Sequence, residues 1–330
     1  MNFSELNQTS SAFVRSRILQ VAVKLGVFDA IRSEGSPSEE LAKILGTELR
    51  ATELFLNSLV AIGILSKKGE KFYNTECSLT YLVKASPKYF GGMILFEEGL
   101  WNIWERLEES VRTGKSAKTP DMFQKREEDT EKFIMAMHSL VEARGDAAIL
   151  SDILDFTWAM TMIDIGSGPG TYPIQFLKKY PHLQITIFDL PGTLRVTKKV
   201  LEKEGVYRRI NIVEGDYNTD PLPTGFDIAF LSNIIHSENE ETNQKLMNKV
   251  FGCLNQNGKV IIKDHILDAT LTSPAVGAIF SVQMLLTTKG RDYSFTEVRA
   301  WLEDVGFREA EWIKLEPPLT SSLVIAQKMS

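Results

Sequence analysis

TMIDIGSGPGT, residues 161–171, joins a short apolar run to Gly166, Gly168 and Gly170. The run ahead of the glycines predicts a buried strand, because it is β-prone and mostly apolar. The glycines let the backbone turn tightly and approach a ligand without interference from a Cβ atom. Residues 172–180 place apolar side chains ahead of a basic end, which predicts a helix. The stretch therefore predicts a strand, a ligand-binding turn and a helix.

Asp189 follows the next predicted strand, residues 184–188, about 20 residues beyond the glycine turn. A carboxylate in this position is typical of proteins that bind ribose hydroxyls, so the predicted ligand is a nucleoside. Asp164 lies just before the turn, where its charge would repel a pyrophosphate, and the glycine spacing differs from the phosphate-binding Gly-x-Gly-x-x-Gly pattern. An acidic turn instead suits a nucleoside with positive charge, such as the ammonium and sulfonium of S-adenosylmethionine.

Further motifs occur in order along the chain. They are Phe188-Asp189-Leu190-Pro191, Gly215-Asp216-Tyr217, a histidine that follows a strand in residues 230–236, an Asn-Gly turn at 257–258 before a strand at 259–264, and Gly290-Arg291-Asp292-Tyr293-Ser294. Together with the glycine turn, these motifs resemble class I S-adenosylmethionine-dependent methyltransferases. More narrowly, the chain is similar to the small-molecule O-methyltransferase family that includes caffeate-type, acetylserotonin-type and bacterial natural-product enzymes. The resemblance spans nearly the whole chain and implies S-adenosyl-L-methionine as cofactor and S-adenosyl-L-homocysteine as product.

Two folding patterns divide the chain. Alternating strands and helices predict an α/β, Rossmann-like methyltransferase domain with a doubly wound parallel sheet over residues 151–330. Residues 1–90 are mainly helical in pattern, and two helices followed by a hairpin over 64–73 are typical of a winged helix. The resemblance implies that this winged-helix-like part is a dimerisation domain that forms a homodimer. Residues 91–150 are predicted to be a helical connector that contributes to the substrate pocket.

The resemblance also implies a donor site built from the glycine turn and the segments that follow the next strands. Asp164, the glycines and Asp189 are candidates from their own chemistry as well, while the other positions come from the family motifs. The implied cofactor-binding residues are Asp164, Gly166, Gly168, Gly170, Asp189, Leu190, Asp216, Tyr217 and Ser232.

His236 follows the predicted strand 227–231, at the edge where ligands bind in parallel α/β sheets. A neutral imidazole can accept the proton of a phenol or other hydroxyl, and the resemblance assigns this general-base role to His236. It also implies that Asp264 and Asp292 bracket and orient the base, where plant members usually carry glutamate. His265 is predicted to point away from Asp264, because side chains alternate along an extended chain.

The acceptor site is predicted to be apolar, with a few polar anchors and no metal. Catechol-type enzymes hold magnesium with a cluster of carboxylates and an amide, and two separated acids do not form such a site. Segments that match pocket-lining regions of the family supply five candidate substrate-binding residues, for which core packing is the competing interpretation. They are Phe133, Met135, His138, Phe280 and Met284.

These features predict a dimeric O-methyltransferase that acts on a hydroxylated aromatic or polyketide-like small molecule. The first alternative is a C-methyltransferase of the same architecture, as in pigment or tetrapyrrole pathways. The second is a non-catalytic, nucleoside-sensing regulator that binds DNA. The charge balance opposes this regulator, because residues 37–74 contain five basic and five acidic residues and DNA binding depends on phosphate neutralisation.

Composition sets the remaining expectations. Hydrophobic residues make up 43% and charged residues 24%, which is typical of a globular protein. The net charge of −6 is not concentrated in either half, so nucleic acid is not an expected partner. No apolar run approaches the ~18 residues of a membrane span, and no signal-peptide pattern begins the chain. Cys77 and Cys253 offer no framework of disulfides, so we expect a cytoplasmic protein. The expected partner besides a second copy of the chain is a small-molecule acceptor.

Overall fold

The computed structural model describes residues 1–329, and the chain divides into two compact units, Met1–Trp101 and Asn102–Ser330. Residues 91–101 belong to the first unit. The assignment of residues 91–150 as a connector to the substrate pocket stays a prediction.

The first unit is mainly helical and has a small sheet, as predicted for a winged helix. The helices α3 and α4 are followed by the β2–β3 hairpin, and the sheet is antiparallel with strand order β1-β3-β2. The elements are α1 (Phe3–Leu25), α2 (Val27–Ala30), β1 (Ser36–Pro37), α3 (Ser38–Leu45), α4 (Leu49–Ala61), β2 (Leu65–Lys68), β3 (Lys71–Asn74), α5 (Glu76–Tyr81) and α6 (Gly91–Gly99), with α7 (Trp101–Trp104) beginning at its last residue.

The long helix α1 is delimited by local sequence signals. Asn2 accepts a hydrogen bond from the backbone N–H of Glu5, and Glu5 accepts one from the backbone N–H of Asn2, which forms a capping box. Gly26 ends the helix in the left-handed conformation, with φ of 76°. Leu41, Leu56 and Phe72, each fully buried, form the core on which this unit is built.

The second unit is a seven-stranded sheet flanked by helices. Its strands follow the order β6-β5-β4-β7-β8-β10-β9, parallel from β6 to β8, with β10 antiparallel to both β8 and β9. The Rossmann-like, doubly wound prediction is thus confirmed, and the antiparallel strand β10 between β8 and β9 departs from the predicted all-parallel sheet. The strands are β4 (Thr161–Ile165), β5 (Gln184–Asp189), β6 (Ile210–Glu214), β7 (Phe226–Ser232), β8 (Leu254–Asp264), β9 (Phe307–Lys314) and β10 (Ser322–Lys328).

The helices of this unit lie along the chain between the strands and ahead of β4. They are α8 (Leu107–Thr113), α9 (Glu127–Arg144), α10 (Asp146–Ile153), α11 (Thr171–Lys179), α12 (Pro191–Lys203), α13 (Glu240–Cys253), α14 (Ala275–Thr287) and α15 (Phe295–Asp304). Among residues 1–329, none of the helices combines the length and the apolar character that crossing a bilayer requires.

The strand order changes direction at β4, which pairs with β5 on one side and with β7 on the other. Such a point is where parallel α/β sheets bind ligands, beyond the carboxyl ends of the strands. The glycine turn, Asp189 and His236 follow or end the three strands that meet there. The fold therefore places the predicted donor and base residues at one edge of the sheet.

One hydrophobic core covers each face of the sheet. The face under α10 and α11 carries an aromatic cluster in which Phe230 contacts Phe176 edge-on, with ring centroids 5.3 Å apart, and Tyr172 at 5.4 Å. Phe230 belongs to β7 and is fully buried. Packing of this kind holds α11, and with it the glycine turn, against the sheet.

We expect Phe230→Ala to lower the free energy of unfolding of the second unit by about 3–5 kcal/mol, because it removes a buried ring and leaves a cavity. Urea denaturation followed by circular dichroism measures the change. The control is Val111→Ala, since Val111 is 67% exposed and its truncation should leave the transition in place. Equal transitions for wild type and Phe230→Ala would contradict this account of the core.

Candidate active site

The glycine turn has the conformation for which glycine is needed. Gly166, Gly168 and Gly170 have φ values of 70°, 57° and 77°, which other residues adopt at a cost. A Cβ atom on Gly166 would also lie 2.3 Å from the Cδ1 atom of Ile234. The prediction of a tight turn that begins α11 is thus supported at each glycine.

Asp189 ties the end of β5 to the glycine turn. Its carboxylate accepts hydrogen bonds of 2.7 Å from the backbone N–H groups of Gly168 and Leu190. Burial raises the pKa of Asp189 to about 6, against the opposing effect of these hydrogen bonds. Each oxygen retains a second lone pair, so the carboxylate can also accept a hydrogen bond from a ribose hydroxyl.

Asp164 has a higher pKa than Asp189, the other acid at the turn. It is 1% exposed, and neither of its carboxylate oxygens has a hydrogen-bond partner within the described chain. Burial raises its pKa to about 8, the nearby Ser167 hydroxyl opposes this, and the charge of Asp189 adds to it. A buried carboxylate without partners takes up a proton, as this raised pKa allows, or is neutralised by a bound cation. The ammonium of S-adenosylmethionine fits this requirement.

The remaining predicted donor residues lie near the turn but differ in orientation. Tyr217 lies beside Gly166, and its hydroxyl donates a 3.1 Å hydrogen bond to Glu238. Ser232 ends β7 and pairs in register with Lys263. The Asp216 carboxylate instead accepts the backbone N–H of Asn218 in its own loop. Direct contact between Asp216 and the donor stays a prediction.

His236 and Asp264 form a close buried pair. His236 lies in a short 3-10 turn, Ile235–Ser237, directly after β7, and Asp264 is the last residue of β8. The Nδ1 atom of His236 lies 2.6 Å from Oδ1 of Asp264, and its backbone N–H lies 3.4 Å from Oδ2. Since a carboxylate accepts hydrogen bonds, Nδ1 carries the proton and Nε2 is left as the basic nitrogen. This direct contact supports the predicted role of Asp264 in orienting His236.

The electrostatics of this pair favour a charged imidazole. Burial lowers the pKa of His236, but the charge and hydrogen bond of Asp264 raise it more, and Asp292 adds to the increase. Burial acts to raise the pKa of Asp264, and His236 and His265 more than offset it, so the net pKa is lowered. The pair therefore stabilises the imidazolium that proton uptake would create.

Asp292 completes a cluster with this pair. One atom each of His236, Asp264 and Asp292 lies within 4.8 Å of the other two, a spacing that suits an acid–base cluster and would also admit a metal ion. The Oδ2 atom of Asp292 accepts a 3.2 Å hydrogen bond from the Ser281 hydroxyl. Burial raises the pKa of Asp292, the histidine His265 opposes this, and Asp264 adds to it.

Gly290 allows the segment that carries Asp292 to approach the base. A Cβ atom at this position would lie 2.3 Å from the backbone oxygen of His236 and 2.5 Å from that of Glu238. A side chain at position 290 would therefore push this segment away from the turn that holds His236.

The prediction for His265 is wrong. Its ring does not turn away from the cluster, since Nδ1 lies 3.6 Å from Oδ1 of Asp292 and the ring contacts Phe280 edge-on, with centroids 4.8 Å apart. The strand β8 ends at Asp264, so the alternation of an extended strand does not continue to the next residue. The sequence signal that could have placed His265 in the cluster was its position next to Asp264, a predicted catalytic acid.

The five predicted acceptor residues lie on two helices, α9 and α14. Phe280 lies edge-on to His236, with ring centroids 5.1 Å apart, and Met284 is buried one turn later on α14. On α9, Phe133 stacks on Phe123 at 4.8 Å, and His138 Nδ1 lies 2.8 Å from the Thr171 hydroxyl at the start of α11. Met135, also on α9, is 39% exposed. The structure thus places Phe280 beside the base and His138 beside the donor turn, and acceptor binding by all five stays a prediction.

A buried charged group near the site was missed. Lys263 is fully buried, with Nζ 3.7 Å from Asp146 and 5.5 Å from the centre of the Tyr172 ring. Arg144 binds the same Asp146 carboxylate through two hydrogen bonds of 3.0 and 2.7 Å. Burial lowers the pKa of Lys263 to about 8, while Asp146 opposes the decrease. A lysine in the apolar run Val260–Lys263 was the only signal in the sequence.

Comparisons with known proteins identify the family of the chain. The family described as the O-methyltransferase domain matches residues 104–308, and the family described as the O-methyltransferase dimerisation domain matches residues 7–84. The chain is 29% identical over 331 residues to 3-hydroxy-5-methyl-1-naphthoate 3-O-methyltransferase of Streptomyces sahachiroi, covering 98% of this chain and 94% of that protein. It is 30% identical over 326 residues to the tetracenomycin polyketide synthesis 8-O-methyl transferase TcmO of Streptomyces glaucescens, covering 97% and 95%.

A solved structure shares the fold along the whole chain. The human N-acetylserotonin methyltransferase in complex with SAM superposes with a TM-score of 0.90 at 23% identity, covering 99% of this chain and 98% of that one. The domain match alone covers more than half of the sequence. The chain therefore belongs to the S-adenosylmethionine-dependent O-methyltransferase family.

Proposed function

We propose that this protein methylates a hydroxyl group of a hydroxylated aromatic or polyketide-like small molecule, with His236 as the general base. The observation that carries the proposal is the 2.6 Å contact between His236 and Asp264 at the ligand-binding edge of the sheet. Two relatives named for naphthoate and polyketide acceptors support the acceptor class. Membership in an enzyme family removes the support for a DNA-binding regulator.

The chain's own residues supply the two parts of the reaction. S-adenosylmethionine, when bound, supplies the methyl group on its sulfonium. Asp189 and the glycine turn hold the nucleoside, and Asp164 neutralises the donor's ammonium. At the acceptor, Nε2 of His236 takes the hydroxyl proton, while Asp264 fixes the ring and stabilises the resulting imidazolium. Fixing both reactants in line removes much of the entropic cost of a two-molecule reaction.

We propose that the base works without a metal ion. The hydrogen bond between His236 and Asp264 supports this, because it already gives the acid a partner and fixes the ring. Burial among apolar side chains such as Phe280 favours a small hydrogen-bonded cluster over a hydrated magnesium ion, which usually retains several waters.

We further propose that the protein is a homodimer, through the domain that matches the dimerisation family. Helix α1 presents apolar side chains to solvent, including Phe3 at 82%, Phe13 at 58% and Val14 at 45% exposure. Large exposed apolar surfaces of this kind are typical of interfaces between subunits.

A cytoplasmic location is part of the same proposal. Cys77 and Cys253 are both free thiols, Cys77 exposed and Cys253 buried. Free thiols are typical of a reducing compartment.

We expect Asp189→Asn to weaken S-adenosylhomocysteine binding by about tenfold or more, because a hydrogen bond to a charged group is worth about 1.5–3 kcal/mol. Isothermal titration calorimetry measures it. Wild-type affinity should also fall as the pH drops through the raised pKa of about 6, where the carboxylate gains a proton. Asp155→Asn, an exposed acid ahead of β4, is the control. Equal affinities in all three proteins would remove the ribose assignment.

We expect His236→Ala to lower kcat by roughly 10²- to 10⁴-fold while S-adenosylhomocysteine binding is unchanged, because the imidazole acts on the acceptor's proton. Radiolabelled methyl transfer to a panel of naphthols and phenolic polyketides measures it, with His182→Ala as the control. Only the neutral imidazole is a base, and the pKa of His236 is raised, so activity should decline as the pH falls through a value above 6.5. Asp264→Asn should move this decline to lower pH.

Two outcomes of the same assay would contradict the metal-free base. The first is near-normal turnover by His236→Ala on the best acceptor. The second is loss of wild-type activity with a chelator and its recovery with magnesium. Products methylated at carbon would instead identify a C-methyltransferase.

We expect sedimentation of the wild-type protein at micromolar concentration to give a dimer, because the apolar surface of α1 is stable only when covered. Phe13→Asp should shift the equilibrium toward monomer, since it places a charge in that surface. Gln8→Asp, exposed on the opposite face of the same helix, is the matched control. A folded wild-type monomer at this concentration would refute the proposed dimer.

A further inference from the structure

We propose that His265 is a positioning residue that holds the carboxylate of Asp292 against the His236 base, through a hydrogen bond from its Nδ1 atom. The proposal rests on the role of His236 proposed above. It adds a fourth side chain to the cluster and explains what sets the charge of Asp292.

Two buried polar atoms face each other without hydrogen bonds. Oδ1 of Asp292 and Nδ1 of His265 lie 3.6 Å apart, and neither has a hydrogen-bond partner within the described residues. Asp292 is 1% exposed, so water does not compensate its carboxylate. An unsatisfied buried group is costly, and a movement of less than 1 Å would pair these two atoms. They are therefore each other's natural partners.

The partners on the two sides of the His265 ring, Thr320 and Asp292, indicate which nitrogen carries the proton. Arg144 donates a 2.9 Å hydrogen bond to the Thr320 hydroxyl oxygen. A hydroxyl that accepts from Arg144 still has its own proton to donate. Nε2 of His265 lies 3.2 Å from the same hydroxyl and can accept that proton. Since a carboxylate only accepts, pairing with Asp292 requires the ring proton on Nδ1. The ring proton of a neutral His265 is then on Nδ1, which faces Asp292.

His265 also contacts the other acid of the cluster. Its backbone N–H donates a 2.9 Å hydrogen bond to Oδ1 of Asp264, the same oxygen that binds His236. Phe280 lies edge-on to both imidazoles, at 5.1 Å from His236 and 4.8 Å from His265. His265 thus contacts the carboxylates of both Asp264 and Asp292, and the Phe280 ring packs against both histidines.

This arrangement controls how much negative charge the base experiences. The charged groups that face His236 are Asp264 and Lys263 of β8 and Asp292 of the segment before α15. Two buried carboxylates so close repel each other, which favours proton uptake by Asp292. A hydrogen bond from His265 opposes that uptake and keeps Asp292 as an anion. The anion in turn raises the proton affinity of His236.

The test measures the pKa of His236 by NMR in protein with labelled histidine and bound S-adenosylhomocysteine. The chain has four histidines, so each signal can be assigned from a single substitution. His265→Phe keeps the ring that packs on Phe280 and removes both nitrogens. We expect it to lower the pKa of His236 by on the order of one unit, because Asp292 then gains a proton. His265→Asn, which keeps a donor at the position of Nδ1, should stay close to wild type.

A double-mutant cycle separates positioning from a general structural effect. Asp292→Asn should lower the pKa of His236 as His265→Phe does, and adding His265→Phe to Asp292→Asn should cause no further decrease. A further decrease in the double variant would overturn the proposal, and so would equal values for wild type and His265→Phe.

A second variant covers the case in which His265→Phe does not fold. Thr320→Val removes the hydroxyl that donates to Nε2, so the ring proton is no longer fixed on Nδ1, and the pKa of His236 should fall by less than in His265→Phe. Thr320→Ser keeps the hydroxyl and should match wild type, and equal pKa values for Thr320→Val and wild type would overturn the proposal. None of these measurements needs an acceptor. Failure to find methyl transfer would therefore count against the proposed function, whereas the pKa values measured by NMR alone decide the role of His265.

Discussion

The pairing of β4 with β5 on one side and with β7 on the other is the constraint on which the site depends. It brings the carboxyl ends of three parallel strands to one edge of the sheet. The glycine turn, Asp189 and His236 each follow or end one of these strands, so residues far apart in sequence meet without long loops. The aromatic packing of Phe230 under α11 keeps this edge in place, since the helix that begins at the turn cannot move without disturbing the core.

The sequence predicted the elements and turns that local patterns determine. It missed the side-chain partners that come together only through contacts between distant parts of the chain. The glycine turn, the strand ends and the winged-helix order are local patterns, and the family motifs added His236, Asp264 and Asp292. His265 was misplaced because the alternation rule holds only within a strand. The group of Lys263, Asp146 and Arg144 was missed because its members lie on separate elements and become partners only after folding. The same limit applies to α9, where the candidate His138 contacts Thr171 at the start of α11.

The ligand-binding edge contains an unusual number of buried acids. Asp164, Asp189, Asp264 and Asp292 are each at most 9% exposed, and burial acts to raise the pKa of all four. Such groups cost stability unless paired, and they are common where chemistry is carried out. Asp264 has its histidine, whereas Asp164 has no hydrogen-bond partner within the described residues and is compensated by a proton or by a bound cation. Donor binding is therefore coupled to folding, and a bound donor stabilises the native state by mass action.

The close approach at Gly290 also has an evolutionary consequence. The backbone of the His236 turn leaves no room for a Cβ atom there, so this position cannot vary without displacing the segment that carries Asp292. Position 265 already carries a side chain, which reaches the cluster from the end of a strand. Under the proposal made above, an exchange of that side chain would change the basicity of His236, whereas position 290 keeps its glycine for steric reasons.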